Sequence, residues 1–346
     1  MSDPTARLPH ALGGPLGSGT IKLTPEDFVV EEILGFELSG EGEHVFLRIE
    51  KCGENTDYLA RQLARFSGTA VRNVSYAGLK DRHGRTIQWF SIQLPGQAGP
   101  DWTAFATDTV RVLEVTRNAR KLRKGAASGN RFELTVRDLT APADALETRL
   151  SDLAQRGVPN YFGPQRFGHD GQNIEQARAL FAEPHRRLDP HKRGLYLSAA
   201  RSEIFNQILA ERVRTGDWDQ AIAGDVFMFP DSRSFFKPDA IAEDILQRLN
   251  DRTIHPSGVL WGRETSTASG EALHIENRAA ARLPDLTEGL AASDMETARR
   301  PLRLCPIDLK WQFSGPATLQ LQFSLPAGAY ATTVLRELVD MNRFDA

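Results

Sequence analysis

The stretch Tyr76-Ala77-Gly78-Leu79-Lys80-Asp81-Arg82-His83-Gly84-Arg85-Thr86-Ile87-Gln88-Trp89-Phe90-Ser91 carries one carboxylate between two cations, a second glycine turn, and then aromatic and β-branched residues that read as a strand. Nearby positive charge favours the ionised form of an acid, so Lys80 and Arg82 predict a charged Asp81 at neutral pH. An ionised carboxylate serves as nucleophile or base rather than proton donor. On charge pattern alone, a solvated turn with Asp81 bonded to nearby amides is the ordinary alternative.

Outward from that stretch, period-2 alternation marks further strands. Val45, Leu47 and Ile49 alternate with Phe46, Arg48 and Glu50, the pattern of a half-buried strand. Phe132, Leu134 and Val136 alternate likewise, and Leu309, Trp311, Phe313 face Leu319, Leu321, Phe323 across a Ser-Gly-Pro-Ala hairpin signal. Asn55 is placed to cap a helix with Leu59, Leu63 and Phe66 on one face. Leu146, Leu150 and Leu153 predict a second helix, stopped by Gly157. Between about Val158 and Pro301 the pattern is mostly helical, with Ser198 as an expected cap and Gly216 as a stop. Val334, Leu335, Leu338 and Val339 predict a closing helix. Strands on both sides of a helical region imply one α+β domain with a largely helical α/β domain inserted into it.

The 346 residues suffice for two domains, and the formal net charge of -3 excludes a protein that coats nucleic acid indiscriminately. Positive charge is nonetheless clustered: Arg111, Arg117, Arg120, Lys121, Arg123, Lys124 and Arg131 share a stretch whose only acid before Arg131 is Glu114. Such a run is ordinarily a solvated face and otherwise a phosphate-binding one. The glycines around Lys124-Gly125-Ala126-Ala127-Ser128-Gly129-Asn130 read either as an anion-binding turn or as a plain hairpin loop. Cys52 and Cys305 are far apart, and the eight histidines form no metal-ligand spacing, so no disulfide framework and no metal are expected. Neither a secretory leader nor an apolar run of membrane length is visible, which predicts a soluble cytoplasmic chain.

Several separated motifs resemble those of the TruD family of tRNA pseudouridine synthases. They are the run from Tyr76 to Phe90; Lys121-Leu122-Arg123 with Gly125 and Gly129-Asn130; Asn160-Tyr161-Phe162-Gly163-Pro164-Gln165-Arg166-Phe167-Gly168; and Leu325-Pro326-Ala327-Gly328-Ala329-Tyr330-Ala331-Thr332, where the family has Phe at the place of Tyr330. The resemblance implies a pseudouridine synthase-type mixed, mainly antiparallel sheet domain formed by residues 1–157 and 302–346, with a TruD-type domain inserted at 158–301. It implies an isomerase that converts uridine to pseudouridine at position 13 in the D arm of tRNA, with no cofactor. Asp81 matches the catalytic carboxylate, and Phe28, Asn130 and Tyr330 match positions that hold the target uridine. Lys22 or Lys80 is the expected charge partner of Asp81. Arg120, Lys121, Arg123 and Lys124 are expected to meet tRNA phosphates. Whether Asp81 attacks C1′ or C6, or removes a sugar proton, stays open. No heptad seam demands self-association, so a monomer without an obligate protein partner is expected. Two other classes use the same features: a non-catalytic RNA-binding protein, and a hydrolase pairing Asp81 with His83.

Overall fold

The computed structural model describes residues 4–183, 187–230 and 232–343. The alternation at Val45, Leu47 and Ile49 becomes strand His44–Cys52, paired antiparallel with strand Arg85–Gln93 so that Leu47 faces Phe90, Ile49 faces Gln88 and Lys51 faces Thr86. Directly opposed residues share a face of a sheet. Val45, Leu47, Ile49, Phe90 and Ile92 therefore make one apolar surface, and helix Thr56–Phe66 buries Leu59, Ala60, Leu63 and Ala64 on it. Each such aliphatic side chain contributes about 1.5–3 kcal/mol on burial. Asn55 caps the helix as expected, accepting from the N–H groups of Asp57 at 2.8 Å and Tyr58 at 3.3 Å. One expectation is corrected: the strand is covered on both faces, because Leu122, Ala126 and Ala127 pack with Phe46 and Trp89 on the other side.

The sheet continues well beyond this pair. Its strands lie in the order Ile307–Phe313, Leu319–Pro326, Ala127–Val136, Phe28–Leu34, Arg85–Gln93, His44–Cys52, Val110–Asn118, with Val74–Tyr76 added beside Arg85–Gln93. All pairings are antiparallel except that of Phe28–Leu34 with Arg85–Gln93, which is parallel and sits centrally. Strands from both ends of the sequence thus share one mixed, mainly antiparallel sheet. The glycines near residue 127 prove not to form an anion-binding turn. Gly125 N–H donates to the Ala77 carbonyl at 2.8 Å, and Gly129 lies inside a strand where a Cβ would fall 2.4 Å from the Leu325 carbonyl oxygen. Close approach of a neighbouring strand, rather than a ligand, requires glycine at 129.

The chain divides into two compact units, one of Leu16–Leu146, Pro306–Gly328 and Val339–Ala346, the other of Met1–Pro15, Glu147–Cys305 and Ala329–Leu338. The first holds the large sheet. In the second, helices Gln172–Ala182, Gly270–Ala280 and Pro284–Ala291 pack on the long helix Pro190–Thr215, beside a four-stranded antiparallel sheet that includes His255–Leu260. Ile204, Phe205, Ile208 and Leu209 of the long helix are fully buried, as their spacing predicts. Its cap is Asp189, not Ser198. Asp189 accepts from the N–H groups of His191 and Lys192, and Pro190 presets the first turn, so the helix starts eight residues before Ser198. The closing helix is also shorter than expected. It spans Ala331–Leu335, after which Asp340–Arg343 pairs parallel with Ser18–Ile21 and takes the backbone out of helical geometry. Among the described residues, no helix is long and apolar enough to cross a membrane.

Candidate active site

The parallel pair sets the frame of the site. Strands Phe28–Leu34 and Arg85–Gln93 begin side by side, with Val29 opposite Arg85. The segment 77–84 therefore arrives beside Phe28. A Cβ on Gly84 would lie 2.6 Å from the Phe28 carbonyl oxygen, so only glycine permits this approach. On the other side, a short 3-10 turn at Pro25–Asp27 leads into Phe28. Asp27 holds that turn by accepting Thr24 N–H at 3.0 Å and pairing with the Arg137 guanidinium at 2.8–3.0 Å. Lys22, just before the turn, adopts a left-handed φ of 60°. Its ammonium stands 4.2 Å from the centroid of the Phe28 ring and ion-pairs with Asp81 Oδ2.

Asp81 has a side chain about one-third exposed (32%), and its other carboxylate oxygen accepts His83 N–H at 2.9 Å. Burial pushes the carboxyl pKa up, but the Lys22 ammonium and the His83 amide outweigh it and hold the group below its ordinary 3.8. Ionisation is as the sequence predicts; the cause is different. Lys80 makes an ion pair with the fully buried Glu32 at 2.8 Å and donates to Asn130 Oδ1 at 2.7 Å, while Arg82 Nε donates to the Gly53 carbonyl at 2.9 Å. Consecutive side chains of this bent loop turn to different partners, so adjacency in sequence did not give adjacency of charge. Of the two candidate partners, Lys22 is the one at the carboxylate. It is also the backbone N–H of His83, not its ring, that meets Asp81.

The floor of the site joins a row of aromatic and aliphatic side chains to a buried polar network. Phe28, Val30 and Glu32 alternate on one face of their strand, opposite Leu134, Phe132 and Asn130 respectively. Phe28 and Phe132 meet edge to face at 6.4 Å, and Phe132 stacks on Phe323 at 5.5 Å. Glu32 also accepts Trp89 N–H at 3.2 Å. Thr56 Oγ1, at the start of the capped helix, accepts Lys80 N–H at 3.2 Å and donates to Gln88, whose amide in turn reaches the Gly78 carbonyl at 3.3 Å. Buried networks of this kind rigidify a loop when every member is paired. Lys80, Asn130, Lys22, Phe28 and Asp81 are thereby brought together within the sheet-bearing unit. Glu32, Thr56 and Gln88 were missed, although parity along the strand exposes one of them: Glu32 continues Phe28 and Val30.

Tyr330 lies in the other unit. Its hydroxyl accepts from Arg166 Nε at 3.1 Å, and its ring meets Phe162 edge-on at 6.4 Å. Arg300 stacks on the same Phe162 ring at 4.1 Å and donates to Asn160, so the aromatic run at 160–168 is packed structure. Arg120, Lys121, Arg123 and Lys124 are all exposed, and Lys121 Nζ donates to the Arg72 carbonyl at 2.8 Å.

Residues 13–177 and 172–338 match the model of a family described as tRNA pseudouridine synthase D (TruD). The chain is 52% identical over 335 residues to tRNA pseudouridine synthase D of Methylococcus capsulatus, covering 97% of this chain and 95% of that protein. It is 46% identical over 342 residues to the protein of the same name from Azotobacter vinelandii, covering 99% and 97%. A solved structure described as a putative tRNA pseudouridine synthase D (TruD) from Methanosarcina mazei superposes with a TM-score of 0.71 at 24% identity, over 96% of this chain and 95% of that one; this likeness concerns the fold.

Proposed function

The chain belongs to the TruD family of tRNA pseudouridine synthases, and on that premise we propose that it isomerises uridine 13 in the D arm of tRNA through the carboxylate of Asp81. The observation that carries this reading is the half-buried, ionised Asp81 held between Lys22 and the His83 amide beside the Phe28 ring. Isomerisation breaks the N1–C1′ bond, turns the freed uracil in place, joins C5 to C1′ and releases the C5 proton, which returns to N1 by way of solvent. The reaction is an internal rearrangement with no net oxidation, so it calls for no redox cofactor. Attack at C1′, attack at C6 and removal of a sugar proton all require the ionised carboxylate. Lys22 supplies the charge that keeps Asp81 ionised when a nucleotide displaces water.

A base must leave its stack to meet this carboxylate, at a cost of a few kcal/mol. Phe28 offers a ring for stacking and Asn130 an amide for the uracil edge, and Tyr330 matches a family position that holds the target uridine. Exposed Arg120, Lys121, Arg123 and Lys124 offset the unstacking by meeting phosphates. In this reading residues 1–157 and 302–346 form the catalytic domain and 158–301 an inserted domain, and the enzyme works as a cytoplasmic monomer. The assay is incubation with an unmodified tRNA transcript and with its uridine 13→cytidine version, followed by mapping of pseudouridine. Pseudouridine at position 13 of the first transcript and none in the second is the expected outcome. Equal yields in both place the target elsewhere and overturn the assignment of position 13.

A further inference from the structure

Lys51 occupies an inward position of strand His44–Cys52 and its residue is 0% exposed, directly opposite Thr86 on one side and Val110 on the other. No carboxylate of the described residues forms an ion pair with it. Its ammonium instead donates to two backbone carbonyls, that of Glu54 at 2.8 Å and that of Asp81 at 3.1 Å. Burying an ammonium without a paired acid is costly, and a methionine at this place would continue the apolar row of Val45, Leu47 and Ile49. Burial lowers the Lys51 pKa from 10.5 to about 8, and the nearby Asp81 charge only partly restores it.

What the ammonium holds is the backbone of the carboxylate-bearing segment. The end of the strand and the turn after it grip that segment at three points: Gly53 N–H donates to the Arg82 carbonyl at 3.0 Å, Arg82 Nε returns a bond to the Gly53 carbonyl, and Lys51 reaches the Asp81 carbonyl. Through the Glu54 carbonyl, Lys51 also binds the residue before Asn55, the cap of helix Thr56–Phe66. Asp81 is thus tied from below through its main chain, while Lys22 and His83 hold its side chain. We propose that Lys51 is a positioning residue for the reaction: its buried ammonium fixes the backbone from which the Asp81 carboxylate is presented to the nucleoside. The proposal rests on the reading of Asp81 given above.

The test measures single-turnover rate, tRNA affinity and thermal midpoint for wild type, Lys51→Met and Asp81→Asn. A reacting group displaced by about 1 Å costs on the order of 10²-fold in rate. Lys51→Met is therefore expected to lose about 10- to 100-fold in rate with tRNA affinity within twofold of wild type. The charged groups that act on Lys51 are Asp81, Glu54, Lys80 and Cys52, and of these Cys52 is pushed above its ordinary 9 by burial. The wild-type rate should consequently fall several-fold between pH 7 and 8.7 as Lys51 loses its proton, a limb absent from the residual rate of Lys51→Met. A merely structural lysine gives no such difference between profiles. If Asp81→Asn is inactive while Lys51→Met reacts at the wild-type rate, the proposal is overturned; if Asp81→Asn is active, the reading of Asp81 fails first. Should Lys51→Met not fold, Lys51→Leu takes its place, and a wild-type rate for that variant overturns the proposal.

Discussion

Replacing Lys22 by Met removes the cation at Asp81 Oδ2 and leaves a hydrophobic stem over the Phe28 ring. Exposed ion pairs contribute about 0–1 kcal/mol, whereas stripping one partner from a buried pair costs about 3–5. The two side chains here are 24% and 32% exposed, so the loss of support for ionised Asp81 lies between these limits, about 2 kcal/mol. At 1.36 kcal/mol per pH unit, this is a change of about 30-fold in the protonation equilibrium. With Lys22 gone, burial raises the Asp81 pKa against the His83 amide alone. The sign follows from linkage: a carboxyl held below its ordinary value stays ionised down to acid pH, and raising its pKa makes activity fail at higher pH. Single-turnover rates measured from about pH 4.5 to 7, below the range in which Lys51 titrates, should therefore stay nearly level for wild type, while those of Lys22→Met decline through the acid half of the range. Superimposable profiles of equal height would refute the role given to Lys22.

Three further outcomes are expected. Gly84→Ala puts a Cβ 2.6 Å from the Phe28 carbonyl oxygen and should lower both the thermal midpoint and the rate, because the Asp81 segment and the Phe28 strand must separate. Arg123→Glu with Lys124→Glu should weaken tRNA binding and flatten its log–log salt dependence by roughly 0.7–0.9 for each phosphate no longer neutralised, leaving the saturated rate unchanged; an unchanged slope argues against this face. For Lys51 the folded pKa of about 8 lies below the unfolded 10.5, so its burial cost is full below pH 8 and is relieved as pH rises. Urea unfolding should accordingly show wild type gaining about 2 kcal/mol relative to Lys51→Met between pH 7 and 9.5, and parallel pH dependences would contradict it.

The strands around Phe132 and Leu321 were legible because a period of two survives wherever one face is buried, whereas the strand around Leu47 is covered on both faces, so its polar positions misled about the second face. The cap at Asn55 and the stops at Gly157 and Gly216 follow from local chemistry alone and appear as expected. The start of the long helix was misread since Ser198, a good cap in isolation, lies eight residues inside a helix that Asp189 and Pro190 already begin. The tail was misread because strand pairing with Ser18–Ile21 is non-local and leaves no periodic trace. In the site, the two cations adjacent in sequence are not the source of Asp81 ionisation, since Lys80 answers to Glu32 and Asn130, residues 48 and 50 positions away; the other expected partner, Lys22, reaches the carboxylate from a separate strand entry. Parity alone could have singled out Lys51 and Glu32, since a charged residue at an inward position of a strand needs an ion pair or hydrogen bonds to be tolerated.

The central claim is that Asp81 performs the chemistry of the family on uridine. It is tested most directly by incubating wild type and Asp81→Asn with unmodified tRNA tritiated at uridine C5 and following label release. Release by wild type, none by Asp81→Asn, and equal binding of tRNA by both is the predicted result. Release by Asp81→Asn at the wild-type rate would contradict the account.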